Sequence, residues 1–546
     1  MSNVINNFGT RYLAKGVEIS NKSHETQLNN NDCIIGNSGS GKTTSYVYGN
    51  IAGKYGSYII ADTKGNLAMK FGSMLRKAGY EVKVLDLVNT EKSVGYNPLD
   101  YIRRQKNGTY NQQDVQKLAE LMSPVTMVND PYWETGAMNV ICSLLALTLE
   151  TNSPKDQNLC TVSKYAAELG FTTGDEPDGD MIRLCRRFVK AHQKDPDSFA
   201  WKKFLRYRDI EKSEKTWACI TNFVHKAMSL YDINSIIKMF LNPDKIDLAK
   251  PGREKCAYFV NISDSDRTMD TIANIFYSQL FQTLIADADH NKDGKLDVPV
   301  RIILDDFATN VYIPYFDKLI SVIRSREISV SIILQSITQL NTLYGDNRAR
   351  TIINNCDHLL YMGGHDFESA KYISDMANVP LDKVIDMPLD KQYILIRGQK
   401  AQYVERLAPD AMTFDDEDGE TVEPASQATE TEDKKVVLEN VPKKLVTLTG
   451  TVDKRYYEFN FAYEVKKDSV IFATIRLPQE SVIVNDRKCT LTLGTPDTVY
   501  SGHLSGENGI TSLTADAISQ TYHTNRGRYI AFMKKRPPRV MPQRKN

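Results

Sequence analysis

Residues 31–50 read NDCIIGNSGSGKTTSYVYGN. A short apolar run leads into a glycine-rich turn, and the turn leads into a helix-forming stretch. Gly36, Asn37, Ser38, Gly39, Ser40, Gly41, Lys42 and Thr43 fit the pattern G-x-x-x-x-G-K-[ST]. A loop of this kind needs a strand in front and a helix behind, so it commits the chain to an α/β architecture. The glycines let the backbone turn tightly enough for its N–H groups to face one phosphate. The helix start adds the positive end of its dipole. In this pattern Lys42 reaches the β- and γ-phosphates, Thr43 puts its hydroxyl on Mg2+, and Thr44 touches the α-phosphate. The expected ligands are therefore ATP and Mg2+.

Such a site needs a second acid from a neighbouring strand. The run VRIILDDFATN supplies one, because the apolar stretch from Val300 to Leu304 ends in Asp305-Asp306. Asp305 is the expected Mg2+ partner and Asp306 the base that polarises water. Carboxylates at the C-terminal end of a strand lie where ligands bind in open α/β sheets. The run ISVSIILQSITQL places Gln335 at the end of a further strand, where it is expected to sense a γ-phosphate or orient water. Arg324 and Arg326, in IRSREI, are read as arginine fingers acting on a neighbouring subunit, with plain surface charge as the alternative.

Near-continuous apolar runs recur at 33–35, 58–61, 81–87, 257–262, 300–306, 328–334, 358–362 and 393–397. Runs of this kind suit strands buried on both faces of a parallel sheet. Between about 110 and 240 the strand pattern stops and helical periodicity takes over. The expected organisation is thus a P-loop motor domain in two parts, 1–105 and 246–409, around an all-α insertion, 106–245. An acidic linker follows at 410–433, because residues 414–433 contain no Lys or Arg. A mostly antiparallel β-rich domain is expected at 434–525 and a flexible basic tail at 526–546.

The formal net charge is +0, so no global field draws the chain to nucleic acid or an anionic membrane. Lys and Arg cluster in 183–215, which reads as a solvated helix face or as a face for DNA or a partner. The longest apolar run, Ala137 to Leu149, falls short of the ~20 residues a membrane span needs, so it reads as a core helix. The eight cysteines form no C-x-x-C pair and read as buried reduced thiols. Residues 289–297, DHNKDGKLD, imitate the front of a calcium loop, but Val300 stands where a bidentate Glu is needed. His225, His358 and His365 are isolated, and each reads as a structural histidine.

Taken together, LAKGVEIS, the loop at 31–50, IIADTKGN, GYNPLD, DPYWETGAMNVICSLL, the stretch from IILDDFATN to ILQSITQL, TIINNCDHLLYMGG and YILIRGQK resemble the conjugative type IV coupling proteins. These are the TraG/TraD-type DNA-transfer ATPases, in the branch carried by mobile elements of Gram-positive bacteria. The resemblance runs from about Tyr12 to Arg406. It implies a RecA-like P-loop ATPase core with an inserted all-α domain, working as a homo-hexamer. It also implies that the chain receives a relaxase on single-stranded DNA and drives it through a type IV secretion channel. Two motifs depart from the family pattern. Asp306 stands where the family has Glu, and Asn66 closes Asp62-Thr63-Lys64-Gly65-Asn66 where the family has Asp-Pro-Lys-Gly-Glu. With no span of its own, the chain is expected in the cytoplasm, held at the inner face of the membrane by partners. The alternative is a nucleotide-binding substrate receptor with little hydrolysis.

Overall fold

The computed structural model describes residues 9–126, 130–170, 179–307 and 311–407, and beyond 442 the strands alone. The chain divides into two units, residues 1–425 and 426–546.

The first unit is built on a nine-stranded sheet. A hairpin of β1 (Thr10–Ala14) and β2 (Val17–Ser20) precedes it. The sheet strands are β3 (Asp32–Ile35), β4 (Ser57–Asp62), β5 (Glu81–Asp86), β6 (Cys256–Asn261), β7 (Val300–Leu304), β8 (Ile328–Leu334), β9 (His358–Tyr361), β10 (Lys391–Ile396) and β11 (Gln402–Glu405). Their order is β11-β10-β9-β3-β8-β7-β4-β6-β5. From β9 to β5 every pairing is parallel, as the apolar runs predict. β10 and β11 depart from that expectation and run antiparallel, joined by a tight turn at Gly398 (φ +81°).

Burial explains why the central strands lack alternation. β3, β4 and β7 are buried at every position, because both sheet faces are covered. Ile34, Ile60, Ile303 and Ile333 face the helix that follows the glycine-rich loop, together with Leu67, Phe71 and Leu75 of the helix Asn66–Lys77. Cys33, Ile35, Ile59 and Ile302 belong to the larger core on the other side.

Between β5 and β6 the described residues from 112 to 241 hold helices and no strand. The helix Tyr132–Thr151 carries the long apolar run and is buried nearly all round. Gly136 lets the helix Glu214–Met228 approach, since a Cβ there would meet Ile220 at 2.9 Å. Among the described residues no helix is long and apolar enough to cross a membrane. The two ends of the helical segment meet at a neck. Gly95 N–H donates to the Asp244 carbonyl at 2.7 Å, and Ile246 N–H donates to the Gly95 carbonyl at 2.9 Å. Only glycine fits at 95, because a Cβ would lie 2.4 Å from the Asn242 carbonyl oxygen.

Several charges of the 183–215 cluster are satisfied locally. Arg187 pairs with Glu168, Lys202 with Asp197, and Lys203 donates to Gln116 and Asn139. The cysteines correct a blanket reading of burial, since Cys219 is exposed and Cys185 half-buried.

In the second unit, Lys443–Val452, Arg455–Val465, Val470–Ile475, Thr498–Ser505 and Ser512–Thr514 form a five-stranded antiparallel sheet. Pairing continues past 525, where Tyr529–Ile530 and Met533–Lys534 are strands, so the front of the basic tail is not wholly irregular. The linker 410–433 lies outside the described residues.

Candidate nucleotide-binding site

The strand order brings the chemistry together. β8 lies between β3 and β7, so the loop after β3, the end of β8 and the end of β7 share one edge of the sheet. Gly39 and Gly41 take φ of +77° and +79°, a region open to glycine at little cost. The loop is pinned from both sides: Gly36 N–H donates to the Leu334 carbonyl and Asn37 N–H to that of Gly363, both at 3.1 Å. Behind it the helix is wide over Thr43–Val47, with π-type turns, and α over Tyr48–Ala52.

Lys42 folds back over the loop. Its ammonium donates to the carbonyls of Gly36 at 2.6 Å and Asn37 at 3.0 Å. Burial pulls its pKa below the usual lysine value, against the pull of Asp306 and Asp305. The Ser40 hydroxyl oxygen is buried with no hydrogen-bond partner among the described residues. Thr44 donates to the Gly41 carbonyl at 3.1 Å.

Thr43 and Asp305 meet directly, with the hydroxyl donating to Asp305 Oδ2 at 2.7 Å. Burial pushes the Asp305 carboxyl up to about 6, and the charge of Asp306 adds to this against the Thr43 hydrogen bond and Lys42. Asp306 sits at φ +50°, in the left-handed region that short polar side chains tolerate best. Its N–H donates to Asp305 Oδ1 at 3.1 Å, and its own carboxylate lies 3.4 Å from Gln335 Nε2. Gln339 holds Gln335 in turn, at 3.3 Å.

Gly36 through Thr44, Asp305, Asp306 and Gln335 therefore converge. Arg324 and Arg326 do not. They lie in the turn before β8, at the opposite edge of the sheet. Arg324 donates to the Gln27 carbonyl at 3.1 Å, and Arg326 pairs with Asp289 at 2.8 Å. Asp62 acts locally. Its carboxylate accepts from the N–H groups of Asn66, Leu67 and Ala68, capping the helix Asn66–Lys77. Asn66 is exposed and contributes its backbone N–H to that cap.

Two arrangements carry no sequence signal. Asp32, at the start of β3, is fully buried among Arg11, Arg301, His358, Tyr46 and Ser331. Burial pushes its carboxyl up, but Arg11, the His358 hydrogen bond and Arg301 together hold it well below the usual range. His358 is thus a satisfied core histidine that helps anchor the phosphate-loop strand. The second arrangement is Arg406, just after β11. It donates to the carbonyls of Ser40 at 2.5 Å, Met362 at 2.6 Å and Lys391 at 2.9 Å.

A family model described as type IV secretory system conjugative DNA transfer matches residues 15–377. The chain belongs to that family. A curated relative, the probable conjugal transfer protein TraG of Sinorhizobium fredii (strain NBRC 101917 / NGR234), is 22% identical over 361 residues. That match covers 64% of this chain and 53% of the relative, so the chain spans about half the length of the curated relative it matches. Solved structures show the same fold. The bacterial conjugative coupling protein TrwBdeltaN70, in an unbound monoclinic form, superposes with a TM-score of 0.53 at 12% identity, covering 73% of this chain and 89% of that one. The plasmid coupling protein TrwB in complex with ADP and Mg2+ gives a TM-score of 0.50 at 13% identity, covering 69% and 84%. The α/β core of this family member is therefore RecA-like.

Proposed function

We propose that the chain binds ATP with Mg2+ at the glycine-rich loop and hydrolyses it to drive a relaxase on single-stranded DNA through a type IV secretion channel. The observation that carries this reading is the convergence of Lys42, Thr43, Asp305, Asp306 and Gln335 at one sheet edge, in a member of the conjugative DNA transfer family. The site fits both ligands on its own terms. The loop turns through two left-handed glycines and holds a buried hydroxyl that has no partner among the described residues, a cradle in which backbone N–H groups can hold phosphate oxygens. Asp305 is a buried acid whose ionised form is costly without a cation beside it. The known complex of TrwB with ADP and Mg2+ supports the same assignment.

In this reading Thr43 and Asp305 hold Mg2+, which when bound neutralises phosphate charge. Lys42 leaves the two loop carbonyls it now binds and turns its ammonium to the phosphates. Asp306 takes the proton of the attacking water, and Gln335, already beside it, orients that water. DNA contact is local, since the chain carries no net charge. The active form is proposed to be a hexamer held at the inner face of the membrane by its partners. In a ring, Arg324 and Arg326 serve only a neighbouring subunit's site, because they lie far from their own. The test is ATP hydrolysis by the purified protein with and without single-stranded DNA. Stimulation by DNA that fades steeply with added salt is expected. If Lys42→Ala hydrolyses ATP as fast as the parent, the motor reading fails.

A receptor that binds nucleotide with little turnover is favoured by one observation. The short Asp306 side chain already faces the Gln335 amide, at 3.4 Å. Tight ATP binding with no turnover, with or without DNA, together with capture of a relaxase, would select this reading.

A further inference from the structure

We propose that Arg406 is a positioning residue for the phosphate loop, acting through the peptide between Ser40 and Gly41. The inference rests on the nucleotide reading of the site and deepens it. Arg406 is half-buried, and its guanidinium spans three backbone carbonyls from three different segments: Ser40 in the loop, Met362 just after β9, and Lys391 at the start of β10. Two of these bonds tie β9 to β10. The third leaves the sheet and holds the loop itself. Sequence offers no hint of it, since the two residues lie 366 positions apart.

The geometry of a peptide explains what that bond does. In a planar trans unit the C=O and the following N–H point in opposite directions. Holding the Ser40 carbonyl against Arg406 therefore turns the Gly41 N–H toward the other side of the loop, into the cradle. Gly41, at φ +79°, has no Cβ to resist rotation of this peptide, so some external contact must fix it. The Gly41 N–H has no acceptor among the described residues. A planar guanidinium can serve three carbonyls at once, whereas an ammonium on a flexible stem acts as a point charge.

The experiment compares the parent, Arg406→Gln, Arg406→Lys and Glu405→Gln as full-length proteins. Glu405 ends β11 beside Arg406 and, among the described residues, pairs with exposed Lys15 and half-buried Lys391, so its variant controls for the hairpin. MgATP binding is read by calorimetry, and steady-state hydrolysis separates kcat from KM. Arg406→Gln is expected to weaken MgATP binding about ten- to hundredfold, as for loss of a charge-assisted hydrogen bond. KM should rise while kcat holds, because the Gly41 N–H binds ground state and transition state alike. Arg406→Lys should recover part of the loss, and Glu405→Gln should match the parent. Hydrogen exchange of the peptide 36–43 without nucleotide gives an independent reading, and faster exchange in Arg406→Gln is expected. Binding within twofold of the parent, with unchanged exchange, would overturn the proposal. If the parent itself fails to bind MgATP, the nucleotide reading falls, and the exchange result alone decides whether Arg406 orders the loop.

Discussion

Replacing Asp305 by Asn should make the nucleotide-free protein more stable while it stops hydrolysis. The buried Asp305 carboxyl is pushed from its ordinary 3.8 up to about 6. At roughly 1.4 kcal/mol per pH unit, that interval penalises the folded state by about 3 kcal/mol once the group is ionised. The sign follows from linkage. Below about pH 4 the carboxyl is protonated in both the folded and the unfolded chain, and it costs nothing. As pH rises from about 4 to 6 the unfolded chain releases its proton first, so stability falls. Above about pH 6 the full penalty applies. Asn is nearly isosteric, carries no charge and can still accept from the Thr43 hydroxyl, which lies at 2.7 Å, while its amide nitrogen cannot replace the oxygen that accepts from the Asp306 N–H at 3.1 Å, a loss that sets a roughly constant offset across pH. The stability of Asp305→Asn relative to the parent should therefore rise by about 3 kcal/mol between pH 4 and pH 7. Urea denaturation across that range, without nucleotide or divalent cation, measures it. A difference that stays flat from pH 4 to pH 8 would refute the argument. Adding MgATP should reverse the ranking, since the parent alone then gains a cation beside its carboxylate.

Gly364→Ala would place a Cβ 2.7 Å from Asn37 Oδ1, displacing the front of the loop; nucleotide affinity should fall, with a stability loss of about 1–3 kcal/mol, both readable in one thermal-shift titration. Asp62→Ala removes the acceptor of three helix N–H groups and should cost about 1–2 kcal/mol in urea denaturation, with Asp62→Asn in between. Asp306→Asn keeps a side chain that tolerates φ +50° but removes the base, so MgATP should still bind while turnover is lost. Gly95→Ala would press a Cβ to 2.4 Å from the Asn242 carbonyl, and a loss of about 1–3 kcal/mol is expected by denaturation.

Much of this unit was legible because its central strands are buried on both faces, which writes them as unbroken apolar runs such as YIIA and RIIL. The glycine-rich loop, Asp305-Asp306 and Gln335 were legible for a different reason: each closes such a run at the end where ligands bind. What sequence hid depends on partners far along the chain. The hairpin of β1 and β2 is short and half polar, so it left no run to find. Arg11, Asp32 and Arg301 look like surface charges one by one, yet all are buried because they satisfy one another. Arg324 and Arg326 follow the helix after the paired acids, and strand direction carries them to the edge opposite the glycine-rich loop. Arg406 sits in no motif, and its contacts appear only when β11 folds back on β10, which in turn pairs with β9.

The neck at Gly95 also bears on how this protein reaches its fold. β5 and β6 are adjacent and parallel, although about 170 residues separate Asp86 from Cys256. Closing a flexible loop of that length costs about 2.5 kcal/mol more than closing one of ~10 residues. A helical segment that condensed first would bring its two ends together at Gly95 and Asp244, and so shorten the effective loop to the eight residues between Asp86 and Gly95 and the eleven between Asp244 and Cys256. The half of the sheet holding β4, β6 and β5 would then assemble by what is kinetically a local step. Lesions in the neck should accordingly slow refolding more than they speed unfolding, and the helical segment would act as a template for the sheet edge as well as a cargo carried by it.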